Sequence, residues 1–367
     1  MTPPPDHQPR AKDMERELSD RPVTAPSDLQ EARSYLKSYY GRVLQQTADL
    51  ERKACCADTT ARRHASIVRL IPDEVKQRNY GCGCAIPDDD LSGMQVLDLG
   101  SGAGLDAFIL SRLVGPQGRV RGIDMTQEQL AVSRRNVAPV MEAFGHGRPN
   151  VEFLEDYIET AERIEHGSVD LVVSDCVINL SPFKERVFET IFRVLRTGGE
   201  FYISDIVADR RVPERLARDP RLVAECLGGA LYEHDLLDVA RDAGFGDPRV
   251  VTRRLVEEDV HGEPIRFFSI TVRGFKLHGW DRRCEDYGQV ATYRGSCAAQ
   301  PARFVLDDHH VFEAGRPTPV CRNTARMLSE TRLAPYFDVT SPRRHLGLFA
   351  CGAPAPASEA GGTGACC

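Results

Sequence analysis

Val96-Leu97-Asp98-Leu99-Gly100-Ser101-Gly102-Ala103-Gly104, residues 96–104, is the stretch that decides the fold. A short apolar strand (MQVLDLG) runs into three glycines at alternate positions. LDAFILSRLV follows as a helix, stopped by Gly115 and Pro116. Glycine lets backbone approach a ligand closely and tolerates positive φ. The helix N-terminus behind the loop favours a carboxylate or a phosphate. The spacing is G-x-G-x-G, not the G-x-G-x-x-G of a dinucleotide-binding fingerprint. Asp124 ends the next strand, RVRGIDM, where a carboxylate can accept both hydroxyls of a ribose.

Outward from this loop the pattern alternates. TQEQLAVSRRNVAPVMEAF is a long helix with Thr126 as its expected N-cap. VEFLEDYI, VDLVVSD and EFYISDIV read as strands, with a helix over 183–196 and a turn at Thr197-Gly198-Gly199 before the last. Strands alternating with helices predict an α/β fold, a doubly wound and mostly parallel sheet with helices on both faces. Residues 28–52 read as one helix or two. After about residue 250 the rhythm changes to the strands RVVTRRLVEED and RFFSITVRGFKL and then to loops. The expected organisation is a disordered N-terminus (1–27), an N-terminal helical segment (28–75), a nucleoside-binding α/β domain (76–250), a smaller C-terminal α+β domain (251–350) and a disordered tail (351–367).

Bulk properties narrow the partners. Of 367 residues, 41% are hydrophobic and 28% charged, which suffices for a packed core. The net charge of -7 gives no basic field, so no nucleic acid or anionic membrane is expected as partner. No apolar run approaches the roughly 20 residues of a membrane span. The first residues, proline-rich and charged, lack the apolar stretch of a secretory signal, so a cytoplasmic location is expected. Twelve cysteines then suggest free thiols, soft-ion binding or redox chemistry rather than a disulfide frame. No C-x-x-C pair has a matching partner, so no structural metal is expected.

The Asp-x-Gly-x-Gly-x-Gly run, the acid at 124 and Leu195-Arg196-Thr197-Gly198-Gly199 together resemble the S-adenosylmethionine (SAM) motifs of class I methyltransferases. The resemblance implies that Asp98, Gly100 and Gly102 hold the methionine end of SAM, with Ser101 and Gly104 in the same loop. It puts Asp124 and Met125 at ribose and adenine, and Asp156, Tyr157 and Ile158 beside the adenine. Plain core packing is the alternative for Tyr157 and Ile158. Tyr80 and Ser174 complete the expected cofactor set.

Four cysteine contexts stand out: Cys55 in KACC, Cys82 in YGCG, Cys176 in SDCVINLSP and Cys226 in ECLGGALY. Cys176 follows the fourth strand, and ligands of doubly wound sheets sit at C-terminal strand ends. A thiol there suggests a thiophilic acceptor, since soft thiolates select soft ions. With YYGRVLQQTADL (39–50), FFSITVRGFKL (267–277) and EDYGQVATYRG (285–295), these segments resemble the arsenite methyltransferase family over most of residues 35–325. The resemblance implies methyl transfer from SAM to trivalent arsenic. It makes Cys176 and Cys226 persistent arsenic ligands, Cys82 the third ligand and a redox partner, and Cys55 the disulfide partner of Cys82. Arsenite and methylarsenite are the implied substrates, and glutathione or thioredoxin the implied reductant.

This chain departs from the family pattern in places. Asp175 stands where Asn is expected, and a negative charge beside a thiol disfavours its thiolate. Asn79 replaces a second aromatic before Tyr80, and Cys56 doubles Cys55. Cys84 reads as a neighbour of Cys82. Cys284, Cys297, Cys321 and Cys351 read as small core hydrophobes. Asp307-Asp308-His309-His310 does not read as a metal site, because consecutive side chains point apart. Two other readings remain at this stage. A SAM enzyme for a small organic acceptor, such as a sterol or quinone, would find the cysteines dispensable. A non-catalytic arsenic-binding sensor would have no use for the glycine loop or Asp124.

Overall fold

The computed structural model describes residues 29–44, 47–49 and 62–350. Expectations for residues 1–27, Cys55, Cys56, Cys351 and the tail lie outside the described residues.

An eight-stranded sheet organises the chain. Strands β1 (Gln95–Leu99), β2 (Arg119–Asp124), β3 (Val151–Glu155), β4 (Val169–Asp175) and β5 (Leu195–Ala208) pair in parallel in the order β3-β2-β1-β4-β5. Strand β6 (Leu231–Tyr232) runs parallel to the end of β5. Near-continuous burial of β1 and β4 reflects helices on both faces. Helix α1 is Leu29–Ser38, α2 Leu105–Val114, α3 Gln127–Phe144, α4 Lys184–Val194 and α5 Glu233–Asp242. Thr126 takes the N-cap position of α3 without a side-chain capping bond. Asp124 instead fixes the N-cap residue itself from the strand end, its Oδ1 accepting the Thr126 N–H at 2.7 Å.

The boundary expected at residue 251 does not stand. Strands β7 (Arg249–Val260) and β8 (Glu263–Phe275) belong to the main sheet, β8 antiparallel to β5 and β7 antiparallel to β8. The reason is visible in β8, where Phe267–Phe275 is buried without interruption, as an interior strand must be. A hairpin needs no crossover helix, so the change of rhythm marks a change of strand direction within one sheet.

Beyond it a smaller unit is built on the three strands Gln289–Tyr293, Pro317–Val320 and Phe337–Val339, with helix α6 (Arg322–Ser329). Its core includes Tyr293, Phe304, Phe312 and Phe337. Buried charges join it to the sheet. Glu200 on β5 accepts from Arg273 Nε at 2.8 Å and from Arg332 Nε at 2.7 Å, and Arg332 also pairs with Asp89.

Candidate active site

A cleft opens at the C-terminal ends of β1, β2 and β4. It brings together Tyr80, Asp98, Gly100, Ser101, Gly102, Gly104, Asp124, Met125, Asp156, Tyr157 and Ile158, all predicted cofactor residues. Ser174 is the exception. It is fully buried, and its hydroxyl donates to the Leu99 carbonyl at 3.2 Å, tying β4 to β1 outside the cleft lining.

The loop geometry explains its glycines. Gly102 has φ +51, and the space where a Cβ would point is open. Its N–H donates to Asp124 Oδ2 at 2.9 Å, so the carboxylate at the end of β2 holds the loop. Gly104, φ +96, starts α2 against the Phe153 ring, which a Cβ would meet at 2.7 Å. Asp98 Oδ2, Ser101 Oγ and Asp106 Oδ1 are buried without a hydrogen-bond partner, and all three residues line the cleft. Burial pushes the Asp98 carboxyl up to about 8, with further contributions from Asp175 and Asp124. Asp106 rises to about 7, by burial and then by the charge of Asp98. Orphaned acceptors and crowded acids fit a ligand that carries hydroxyls and positive charge. SAM offers both, with ribose hydroxyls, an ammonium and a sulfonium.

Helix α1 and the π-turn Tyr39–Val43 cover the cleft, which sequence reasoning did not foresee. The Arg33 guanidinium stacks 3.6 Å from the Tyr157 ring centroid and pairs with Glu159 at 2.8 Å. Lys37 Nζ donates to the Tyr157 hydroxyl at 3.1 Å, and the Tyr40 and Tyr80 rings meet at 5.7 Å. Asp156 faces its own backbone, accepting from the N–H groups of Tyr157 and Arg163.

The thiols gather behind this cleft. Among the described residues Cys176 is the cysteine that lines it. Cys82, Cys176 and Cys226 belong to one buried cluster. The sulfurs of Cys82 and Cys176 and a carboxylate oxygen of Asp205 lie within 4.8 Å of one another. Cys226 is outside that trio, its thiol donating to the Cys176 carbonyl at 3.0 Å. Cys176 (φ +60) and Cys226 (φ +64) both hold the left-handed conformation. In an L-residue with a Cβ that conformation costs about 1–3 kcal/mol, and it concentrates at functional sites.

Each thiol is placed by its own segment. Cys226 terminates the short helix Pro220–Ala224 where glycine is usual, and the Asn179 side chain holds its carbonyl at 3.2 Å. Cys176 follows β4, its N–H donating to Ser204 O at 2.8 Å. Cys82 is threaded between two glycines. A Cβ at 81 would collide with the Asp175 carboxylate, and one at 83 with the Ser204 hydroxyl. Its carbonyl accepts from Arg254 at 3.1 Å and Ser269 at 2.9 Å, so β7 and β8 build the thiol site.

Two acids change the expected picture. Asp175 Oδ1 accepts the N–H groups of Cys82 at 3.1 Å and Gly83 at 3.2 Å, with the Cys82 thiol at 3.7 Å. The carboxylate is therefore directed at the Cys82 loop, where it acts as an anchor. Asp205, absent from the sequence-based set, is pushed up to about 7 by burial, against the Ile206 and Asn179 N–H groups that it accepts. Buried Lys184 is brought down to about 8 by burial and partly held up by the charge of Asp205. Elsewhere Asp307, Asp308 and His309 converge within 4.8 Å, contrary to the expectation that they point apart, because a turn closes on Asp307. Asp307 is engaged with Arg249 at 3.2 Å and with His310 at 2.8 Å. Among the described residues no helix is long and apolar enough to cross a membrane.

Comparison with known proteins agrees with this geometry. Residues 90–244 match a methyltransferase domain family. An arsenite methyltransferase of Aquipseudomonas alcaligenes is 46% identical over 331 residues, 88% of this chain and 95% of that protein. The arsenite methyltransferase of Homo sapiens is 39% identical, covering 82% of each. A crystal structure of an arsenic(III) S-adenosylmethionine methyltransferase from Chlamydomonas reinhardtii superposes with a TM-score of 0.74 at 42% identity, over 78% of this chain and 98% of that one.

Proposed function

This chain belongs to the arsenite methyltransferase family, and we propose that it transfers the methyl group of SAM to trivalent arsenic held by the thiols of Cys82, Cys176 and Cys226. The observation that carries this reading is the pair of strained cysteines, Cys176 in the cleft lining and Cys226 bonded to its carbonyl, with the Cys82 sulfur close to that of Cys176.

SAM, when bound, supplies an electrophilic methyl group on a sulfonium. Asp98, Ser101 and Asp106 would accept its polar groups, Asp124 would hold the ribose, and Tyr157 with Ile158 would flank the adenine. The thiolates hold arsenic by sulfur, displacing its hydroxides as water, and leave its lone pair as the nucleophile. Holding both reactants removes much of the entropic barrier, a contribution of several kcal/mol for well-aligned groups. Methylation takes arsenic formally from +3 to +5. Two thiolates return it to +3 by giving up two electrons and joining as a disulfide, which glutathione or thioredoxin reopens. Cys82 is one of that pair. Cys55, the expected partner, lies outside the described residues. Incubation with arsenite, SAM and thiol, followed by speciation of the products, tests the reading. Unmethylated arsenic alone would overturn it.

Two outcomes separate the parts of the site. Asp124→Ala is expected to raise the SAM dissociation constant at least roughly tenfold. It removes charged hydrogen bonds worth about 1.5 kcal/mol or more each and frees the Gly102 N–H. Titration calorimetry reads the change, and an unchanged constant would place the ribose elsewhere. Cys82→Ser is expected to cripple methylation of arsenite while methylarsenite is still turned over, with added thiol restoring part of the loss. Arsenite takes three sulfurs, whereas methylarsenite carries one carbon and takes two. Equal losses on both substrates would remove Cys82 from its place as third ligand.

A further inference from the structure

Tyr40 stands where the cofactor cleft meets the supports of the thiols. It belongs to the π-turn Tyr39–Val43, which the Leu44 N–H closes on the Tyr39 carbonyl at 2.9 Å. Turns of this kind are rare and are frequent at functional sites. Tyr40 lines the cleft together with Tyr80, Asp124 and Met125. Its carbonyl accepts from Gln129 Nε2 on α3 at 2.9 Å, which ties its backbone to the cofactor side.

The other end of the side chain reaches the segment that carries Cys226. The Tyr40 hydroxyl donates to the Ala224 carbonyl at 2.6 Å. Ala224 is fully buried and ends the short helix Pro220–Ala224, two residues before Cys226. The last carbonyls of a helix have no partner within it, so this bond braces the helix end from which Cys226 follows. The Tyr40 ring also meets the ring of Tyr80, two residues before Cys82, at 5.7 Å. Tyr40, Tyr80 and Met125 pack against one small core that contains Ala224. A single residue thus touches the cofactor cleft and the segments of two of the proposed arsenic ligands.

We propose that Tyr40 is a positioning residue that couples the two substrates, so that cofactor in the cleft steadies the Cys226 helix end for arsenic and arsenic on the thiols steadies the cleft wall for cofactor. This coupling rests on the methyltransferase reading of the cleft and the thiols, and adds what passes between them. Two ligands that require the same arrangement share the cost of ordering it, and each then tightens the other. Linkage makes the two factors equal. One hydrogen bond between neutral groups carries the effect, which bounds the factor at roughly tenfold.

The test uses the reduced full-length protein under anaerobic conditions, with methylarsenite and with S-adenosylhomocysteine, the demethylated cofactor, so that no turnover intervenes. The dissociation constant of each ligand is measured alone and with the other saturating, and bound arsenic per chain is counted. In the wild type each ligand is expected to tighten the other by one common factor, roughly three- to tenfold. Tyr40→Phe keeps the ring and removes the hydroxyl. It should bring both factors close to one, whatever it does to the separate affinities. A merely structural hydroxyl would change the affinities and leave the factor as it was, so a wild-type factor in Tyr40→Phe would overturn the proposal. A factor of one in the wild type, with both ligands bound, would overturn the coupling and leave the reading of the site standing. A wild type that takes up no methylarsenite would overturn that reading, and the coupling with it. Where Tyr40→Phe does not fold, hydrogen exchange on the wild type decides. S-adenosylhomocysteine alone should slow exchange of the amides of residues 225–228, and unchanged exchange there would overturn the proposal.

Discussion

Serine in place of Cys176, or in place of Cys226, is expected to abolish methylation of arsenite and of methylarsenite alike, by on the order of 10²-fold or more. Both substrates need at least two sulfurs, and these two thiols are the ones whose backbone is held in a strained conformation. An alcohol is a hard donor and does not replace a thiolate on a soft ion. The substitution changes one atom and leaves the fold intact, so SAM binding should stay near wild type. The glycine loop and Asp124 touch neither sulfur through any described hydrogen bond. Rates on both substrates, with product speciation, decide the outcome. If Cys226→Ser turned over methylarsenite at close to the wild-type rate, Cys226 would leave the ligand set. Its bond to the Cys176 carbonyl would then be packing, and Asp205, whose carboxylate lies within 4.8 Å of the two remaining sulfurs, would be a further donor at hand.

The cofactor loop was legible in sequence because its geometry constrains residue type locally. Positive φ at Gly100, Gly102 and Gly104 and a carboxylate at the end of the next strand leave a mark within thirty residues. Cys176 was legible for a related reason, since a residue just past β4 must face the cleft. Asp205 left no such mark. Its approach to Cys82 and Cys176 follows from the register that sets Asp175 against Ser204, and from a Cys82 loop threaded past both strands. Arg33 reads as an ordinary helix-surface residue until the fold brings Glu159 and Tyr157 beneath it, more than 120 residues away.

The misplaced boundary at residue 251 has a functional consequence. Assigned to a separate domain, β7 and β8 could act on the site only by closing over it. As members of the sheet they support it from below, Arg254 and Ser269 fixing the carbonyl of Cys82. Burial of Glu200 between Arg273 and Arg332 then ties the remaining C-terminal unit to the same strands. Removing one member of such a group leaves an unpaired buried charge, which typically costs about 3–5 kcal/mol. The thiol loop and the C-terminal unit thus share one rigid support.

SAM affinity is expected to rise with pH between 6 and 8, by roughly 10- to 100-fold. The ligand-free cleft holds Asp98 at about 8 and Asp106 at about 7, so both carry protons at pH 6. A cationic ligand favours the carboxylates, and below these values it must displace a proton to bind. Each pH unit below the free value therefore weakens binding by up to about tenfold per displaced proton. The effect on folding has the opposite sign. A carboxyl raised from 3.8 to about 8 binds a proton in the native state that the unfolded chain has already lost. The ligand-free protein thus loses stability as pH rises from about 4 to 8. SAM should restore it, so the ligand-induced rise in Tm is larger at pH 8 than at pH 6. Asp98→Asn removes the upper titration. It should weaken binding at pH 8 and flatten the pH dependence, leaving only the step from Asp106. Calorimetry at several pH values also reads the released protons directly through the dependence of the binding heat on buffer ionisation. A SAM dissociation constant that stayed level from pH 6 to 8, with no proton release, would mean that the acids of the cleft are already ionised before the cation arrives.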